Sequence, residues 1–436
     1  MEYGRKVRLL LRDGRSFEGT FIPSPNEDTI ILKLNNGYNI GFQKDHIKDI
    51  IPLEEKVEVA KFPRRKPIYR EGLKGVSIIV TGGTIMSRVD YRTGGVHMFL
   101  DPYELLYEIP ELEDIAVINN ILNPFSIASE DITPKEWVKI AEIVAKELNS
   151  GSDGVIIPHG TDTMHYTSAA LSFMLRDLGK PVALVGAQRS SDRGSSDAFM
   201  NMICATIYAT SNIAEVSVVM HGYISDEFCY AHRGTRVRKM HTERRDAFQS
   251  INDLPLAKIY PSGKIEIVNK NNRRRNDGEV LLDTKIYEKV ALVKVYPGSD
   301  PEIIDFFVDK GYKGIVIEGT GFGHAPTETL HREKSWFPHI ERAVEEGIIV
   351  CMTSQTIFGR TNSFVYSNAR RLYNLGVIHC EDMLPEVAYV KLMWVLGHTE
   401  NYEEVKNLML TPLAGEIKPR SLEEEFINSG LKEKYY

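Results

Sequence analysis

Residues 76–85 read Val-Ser-Ile-Ile-Val-Thr-Gly-Gly-Thr-Ile, and the architecture of most of the chain follows from this stretch. Val76 to Val80 is a short apolar run, the pattern of a strand buried on both faces. It ends at two glycines between two threonines, residue types that let a chain turn sharply and present hydroxyls at the turn. The same texture recurs downstream, where Val155–Ile157 runs into His159-Gly160-Thr161-Asp162-Thr163. Between the two strands, a helix is announced at Thr133. Pro134 stands in its first turn and Glu136 three residues after the cap, which makes a capping box. Trp137, Ile140, Ala141, Val144 and Leu148 form its apolar stripe, and Gly151 and Gly154 end it. Residues 164–178 read as another helix and Pro181–Val185 as another strand. This alternation predicts a parallel sheet covered on both faces.

A charged, turn-rich stretch at 269–279 interrupts the pattern, and a second α/β series begins at Val290–Val295. Ile303–Lys310 reads as a helix, Gly314–Ile317 as a strand, 338–346 as a helix, Ile348–Met352 as a strand and Pro385–Leu396 as a last helix. The tail from Ser421 reads as a short charged amphipathic helix. Upstream, Val7, Leu9 and Leu11 alternate before Asp13-Gly14, and Ile30, Leu32 and Leu34 before Asn36-Gly37. Period-two runs joined by such dipeptides are hairpins, and with no helical pattern among them they suggest a small barrel of SH3 or Sm type. The expected organisation is a barrel over 1–52, a linker over 53–74, an α/β domain over 75–270, a linker over 271–289, a second α/β domain over 290–415 and a tail over 416–436.

Composition narrows the function classes. Of 436 residues, 42% are hydrophobic and 26% charged, which suits a folded chain with ample core and excludes a disordered one. A net charge of −7 excludes a protein that grips nucleic acid over its whole surface. The four cysteines form no CxxC pair, so a zinc site or disulfide framework is not expected, and a reducing cytoplasm is. No apolar run reaches the ~18 residues of a membrane span, and no signal-peptide pattern is read.

In open parallel sheets, ligands bind at the carboxyl ends of strands, where both threonine loops fall. Glycine there lets backbone N–H groups approach a substrate, and a helix N-terminus beyond the second loop favours a developing oxyanion. A tight turn capped by threonine explains either loop alone equally well. Neither is a nucleotide loop, since GxxxxGK[ST] and GxGxxG are both absent. His159 reads as a satisfied core histidine, and no second histidine at metal-ligand spacing accompanies it, so no metal is expected. A threonine needs a neighbour to take its proton, and Lys239, in Arg233-Gly234-Thr235-Arg236-Val237-Arg238-Lys239, could do this with Asp162 orienting it. A solvated basic loop is the alternative for that run. The triplets Arg64-Arg65-Lys66 and Arg273-Arg274-Arg275 read as solvated linkers, with RNA contact as the alternative.

Thr-Gly-Gly-Thr-Ile, then His-Gly-Thr-Asp-Thr-Met about 75 residues on, then Arg238-Lys239-Met240-His241-Thr242, resemble the bacterial-type L-asparaginase/glutaminase family in order and spacing, over roughly Leu73 to Leu413. The resemblance implies an asparaginase-like two-domain parallel-sheet fold. It makes Thr84 the nucleophile, assisted by Tyr91, and groups Thr161 with Asp162 and Lys239. It makes Ser129 the binder of the substrate carboxylate and Glu130 and Asp162 the binders of its ammonium, with Gly83 lining the site. In many asparaginases a Gly-Asn-Gly-Asn segment reaches the neighbouring protomer's site; here the region reads Gly319-Thr320-Gly321-Phe322-Gly323-His324. The barrel prefix and the stretch Ser87–Val96 are similar to the D-type subunits of archaeal glutamyl-tRNA(Gln) amidotransferases. That similarity implies a chain that releases ammonia from glutamine, with asparagine as a second substrate, for an E-type amidotransferase subunit that converts Glu-tRNA(Gln) to Gln-tRNA(Gln). It also implies a homodimer through the asparaginase-like domains, tRNA held mainly by the partner, no cofactor in this chain, and ATP and Mg in the partner. The alternative is a free-standing cytoplasmic L-asparaginase/glutaminase.

Overall fold

The computed structural model describes residues 4–24, 26, 28–36, 38–53, 70–89, 96–98, 105–191 and 193–426. Alternation and turn dipeptides at the N-terminus build five antiparallel strands, β1 (Lys6–Leu11), β2 (Ser16–Ile22), β3 (Thr29–Lys33), β4 (Asn39–Gln43) and β5 (Ile47–Pro52). They pair in the order β4-β3-β2-β1-β5, so β5 returns past the hairpins to lie beside β1. Val7, Leu9, Leu11, Ile30 and Leu32 share one core, with the Phe17 and Phe42 rings 4.9 Å apart. Hydrogen bonding leaves β4 and β5 as the edges of an antiparallel sheet.

The first large sheet is built from β6 (Gly75–Ile79), β7 (Val117–Leu122), β8 (Gly154–Pro158), β9 (Val182–Val185), β10 (Val216–His221), β11 (Cys229–Arg233), β14 (Ala257–Ile259) and β15 (Ile265–Ile267); a separate hairpin pairs β12 (Val237–Lys239) with β13 (Phe248–Ser250). Its order is β15-β14-β11-β10-β9-β8-β6-β7. The five strands from β10 to β7 are parallel, but β11, β14 and β15 run antiparallel. The expectation of a wholly parallel sheet is therefore corrected to a mixed one. The cause is the short connection 222–228, closed by the Gly222 N–H to the Phe228 carbonyl at 3.0 Å, since a parallel crossover needs a dozen residues or more.

Among the described residues, α1 (Pro134–Asn149), α2 (Met164–Met174) and α3 (Ala198–Ala209) cover this sheet, with two four-residue helices at Leu105–Glu108 and Leu112–Ile115. The capping box at Thr133 and Glu136 is present, and the predicted stripe of α1 is buried. The helix expected over 164–178 ends at Met174. Leu175 and Arg176 instead pair with Leu282 and Leu281, and Asp177 takes a φ of +51°. The second sheet is wholly parallel, in the order β16 (Val290–Lys294), β17 (Gly314–Gly319), β18 (Ile349–Ser354), β19 (Ile378–His379). Helices α4 (Glu302–Asp309), α5 (Phe337–Glu345), α6 (Ser367–Leu375), α7 (Pro385–Leu396) and α8 (Tyr402–Leu410) accompany it. The helix at 385–396 is thus not the last. Asn401 starts α8 by accepting the Glu404 N–H through its side chain. The tail shows a three-residue turn at Glu423–Glu425, and residues 427–436 lie outside the described ones.

One core joins the two lobes. α2 and α7 are apolar almost all round, and they pack on each other between the sheets, with Phe173 and Trp394 stacked at 6.4 Å. Each large side chain buried there contributes about 1.5–3 kcal/mol. Charges also cross the seam: Arg236 pairs with Asp382 at 3.0 Å, both essentially inaccessible. The stretch 271–289 is largely exposed but anchored to both lobes, with the Tyr287 N–H donating to the Met393 carbonyl and Trp394 Nε1 to the Asp283 carbonyl. Arg273 and Arg274 are exposed, as the solvated reading expects, whereas half-buried Arg275 pairs with Asp153 at 3.3 Å and donates to the Ser211 carbonyl; Arg64, Arg65 and Lys66 lie outside the described residues. All four cysteines are buried and free, and they fold into neighbouring pairs, Cys204 with Cys229 and Cys351 with Cys380.

Candidate active site

The loops after β6 and β8 and the turn Ser129–Asp131 meet where only glycine leaves room. Gly83 has a φ of +85°, and a Cβ on it would lie 2.4 Å from the Gly160 nitrogen. A Cβ on Gly160 would lie 2.7 Å from Ser129 Cβ and 2.9 Å from its Oγ. The contact is locked from both sides. Thr81 donates its N–H and its hydroxyl to the Pro158 carbonyl at 3.1 and 3.0 Å, and the Thr163 hydroxyl donates to the Ser129 carbonyl at 2.6 Å. Thr84, half-buried, follows Gly83 directly in a one-turn helix. Ser129 is buried, and its Oγ finds no hydrogen-bond partner among the described residues. Glu130 is exposed on the same turn. Tyr91 lies outside the described residues.

Lys239 closes the group from the end of β12. Its Nζ stands 2.8 Å from Thr161 Oγ1 and 2.8 Å from Asp162 Oδ1. The lysine side chain is 10% exposed and the aspartate 67%, so a nearly buried amine meets a hydroxyl on one side and a solvent-facing carboxylate on the other. The run 233–239 is not a solvated loop. Arg233 pairs with Glu215 and Asp253, Arg236 with Asp382, and Arg238 with Glu386 at 3.1 Å. The loop after β9 braces Thr161. A Cβ on Gly186 would lie 2.7 Å from Thr161 Cγ2, and buried Asp197 fixes that loop by accepting the N–H groups of Gln188 and Arg189 at 3.0 Å each.

His159 behaves as a core histidine. Its Nδ1 donates to the Gly160 carbonyl at 2.6 Å and its Nε2 accepts from the Thr167 hydroxyl at 2.9 Å, so both nitrogens are engaged in the neutral ring. Burial lowers its pKa to about 4. Burial, with Arg238 and Lys239 nearby, lowers that of His165 to about 3. Sequence reasoning missed His165, Thr163, Asp197 and Glu386. The first two lie within four residues of Asp162, where helical spacing could have flagged them, but nothing in the sequence pointed to Glu386. Among the described residues, no group of three His, Cys, Asp or Glu side chains is placed to hold a metal, and no helix is long and apolar enough to cross a membrane.

Residues 75–273 match the family description "Asparaginase, N-terminal", 289–409 "Glutaminase/Asparaginase C-terminal domain", and 1–52 "GatD N-terminal domain". Among solved structures, the thermostable L-asparaginase from Thermococcus kodakarensis is 30% identical with a TM-score of 0.69, covering 79% of this chain and 100% of its own. L-asparaginase I from Vibrio cholerae is likewise 30% identical with a TM-score of 0.68, covering 80% of this chain and 100% of its own. Both align to less than the whole chain. Relatives named as the D-type subunit of glutamyl-tRNA(Gln) amidotransferase extend further. The protein of that name from Pyrococcus abyssi is 60% identical over 93% of this chain and 91% of its own, and one from Methanococcus maripaludis is 49% identical over 96% and 98%. An asparaginase-like α/β body, the N-terminal module matched over its full length, and this identity along nearly the whole chain together place the protein in the family of D-type glutamyl-tRNA(Gln) amidotransferase subunits.

Proposed function

We propose that this chain is the glutaminase component of a tRNA-dependent amidotransferase. It hydrolyses L-glutamine, with L-asparagine as a second candidate substrate, and supplies ammonia to an E-type partner that converts Glu-tRNA(Gln) to Gln-tRNA(Gln). The observation that carries the chemistry is Lys239 Nζ at 2.8 Å from both Thr161 and Asp162, beside the Gly83–Gly160–Ser129 contact. Ser129 Oγ, a buried donor without a partner among the described residues, suits a substrate carboxylate; Glu130 and Asp162 supply acceptors for the ammonium. Thr84 Oγ attacks the side-chain carboxamide, with Tyr91 taking its proton. Backbone N–H groups near Thr161 hold the oxyanion. The C–N bond breaks, a proton goes to the leaving nitrogen and ammonia departs. Lys239 draws a proton through Thr161 from the water that cleaves the acyl-threonine, which returns Thr84 and frees glutamate.

The rest of the assembly follows the same reading. Residues 1–52 form an SH3/Sm-like barrel module, joined by a 53–74 linker to domains at 75–270 and 290–415, with 271–289 between them and 416–436 as a tail. The asparaginase-like domains pair two copies, the E-type partner holds tRNA(Gln) with ATP and Mg, and this chain needs no cofactor. A free-standing asparaginase is disfavoured because the 1–52 module is matched by its own family description. The test is co-purification with an E-type partner followed by an assay of Glu-tRNA(Gln) conversion. Deleting residues 1–70 is expected to leave glutamine hydrolysis intact and to abolish transfer to tRNA. Unaltered transfer by the deleted chain would overturn the role given to the module.

A further inference from the structure

Glu386 belongs to the second lobe, in the first turn of α7, yet its side chain is buried against the first. Its Oε1 accepts from Arg238 Nε at 3.1 Å and stands 3.8 Å from His165 Nε2. Arg238 precedes Lys239 on β12, and His165 lies in the first turn of α2, the helix that begins just after Thr161-Asp162-Thr163. One carboxyl group therefore reaches the immediate surroundings of both ends of the Lys239–Thr161 hydrogen bond. Successive side chains on a strand point to opposite sides, so a clamp on Arg238 fixes the rotation of β12 that aims Lys239. Glu386 Oε2 and His165 Nδ1 are both buried without a hydrogen-bond partner among the described residues, an arrangement poorly suited to a contact kept for stability alone. Around Glu386 the charged groups are Arg238 on β12, Glu318 at the end of β17 and Lys294 on β16, with the neutral His165 ring on α2.

We propose that Glu386 is a positioning residue. By clamping Arg238 it holds the Lys239 amine against the Thr161 hydroxyl, so that the second lobe sets the geometry of the first lobe's chemistry. The proposal rests on the catalytic reading of Thr161 and Lys239 given above.

The test compares the full chain with its Glu386→Gln, Glu386→Asp, Arg238→Met, Glu386→Gln/Arg238→Met and Lys239→Ala variants. Ammonia release from glutamine is followed, with melting temperature measured alongside. Glu386→Gln is expected to lower kcat about tenfold with KM near that of the parent. Glu386→Asp recovers part of the rate, and the double variant loses no more than Glu386→Gln alone, because both lesions break one clamp. A parental kcat in Glu386→Gln, or losses that multiply in the double variant, overturn the role even if the melting temperature falls. An inactive Lys239→Ala beside an unaffected Glu386→Gln sinks the positioning role alone. A fully active Lys239→Ala removes the catalytic reading beneath it.

Discussion

The two large sheets of this chain, one mixed around a parallel core and one wholly parallel, are framed alike and finished differently. At the carboxyl edge of the first, loops meet through glycines and bring hydroxyls, a carboxylate and an amine together, with Ser129 Oγ left unpaired among the described residues. At the same edge of the second, several polar groups are spent on the fold itself, although His324 Nε2 and Thr327 Oγ1 are also without a partner among the described residues. Thr320 and His324 bridge across a turn, Gln355 Nε2 donates to the Val295 carbonyl at 2.7 Å, and the Thr353 hydroxyl donates to the Ile317 carbonyl at 3.1 Å. A parallel sheet offers the place for chemistry, and the loops decide whether it is used. The sharpest way to break this contrast is by activity. Lys239→Ala is expected to lower kcat for amide hydrolysis by ~10²–10³, whereas Thr353→Val in the second sheet leaves it within about threefold. Steady-state assays of the two purified variants decide, and comparable losses would erase the distinction.

The seam between the lobes comes next in size. Arg236 and Asp382 are paired beyond the reach of solvent, one from each lobe. Removing one partner strands a charge, so Asp382→Ala is expected to cost about 3–5 kcal/mol in urea unfolding, far more than an exposed pair. A cost below about 1 kcal/mol would show that the lobes are held by the α2–α7 packing alone.

Acid should also separate the lobes. Burial lowers His159 to about 4, His165 to about 3 and His232 to about 3 in the first, against His379 at about 4 in the second. These folded values lie below the ordinary 6.5, so the unfolded chain binds the protons first. Stability is therefore full above about pH 6.5 and falls with pH, by up to about 3 kcal/mol per such histidine at pH 4. Replacing His232 with Gln is expected to flatten the slope of unfolding free energy between those pH values. An unchanged slope would mean that this histidine is not held neutral by burial.

How much of this could be read beforehand depended on whether the signal was local. Glycine-threonine turns after apolar runs, the capping box at Thr133 and the hairpin dipeptides near Asp13 and Asn36 are short-range devices, and the elements they announce are present. The convergence of Thr161, Asp162 and Lys239 was legible only because the motifs resemble a family, since no local rule joins residues 78 apart in the chain. The antiparallel extension β11-β14-β15 escaped because its strands are three to five residues long and carry little periodicity. Glu386 escaped for a different reason. It looks like an ordinary acidic residue at a helix start, and only tertiary packing turns it toward Arg238.

The smallest expected effect concerns how the helices of the two lobes begin. Thr133 and Glu136 close the capping box of α1, the Thr133 hydroxyl and N–H both donating to Glu136 Oε2, which holds the Glu136 carboxyl below its usual range. In the second lobe α4 and α5 start at Pro301 and Trp336, which give no side-chain cap; Asp300 Oδ1 and Ser335 Oγ accept the Glu302 and Phe337 N–H groups at 3.2 and 3.4 Å. Thr133→Ala should therefore cost about 1 kcal/mol, the usual value of a lost cap. Glu136's share of that stability is present above its unfolded pKa and is lost as pH falls through the lower folded value, so the difference between the parent and Thr133→Ala should shrink in acid. Denaturant unfolding at neutral and acidic pH measures both. A variant as stable as the parent at neutral pH would mean that the buried stripe from Trp137 to Leu148 alone fixes where α1 begins.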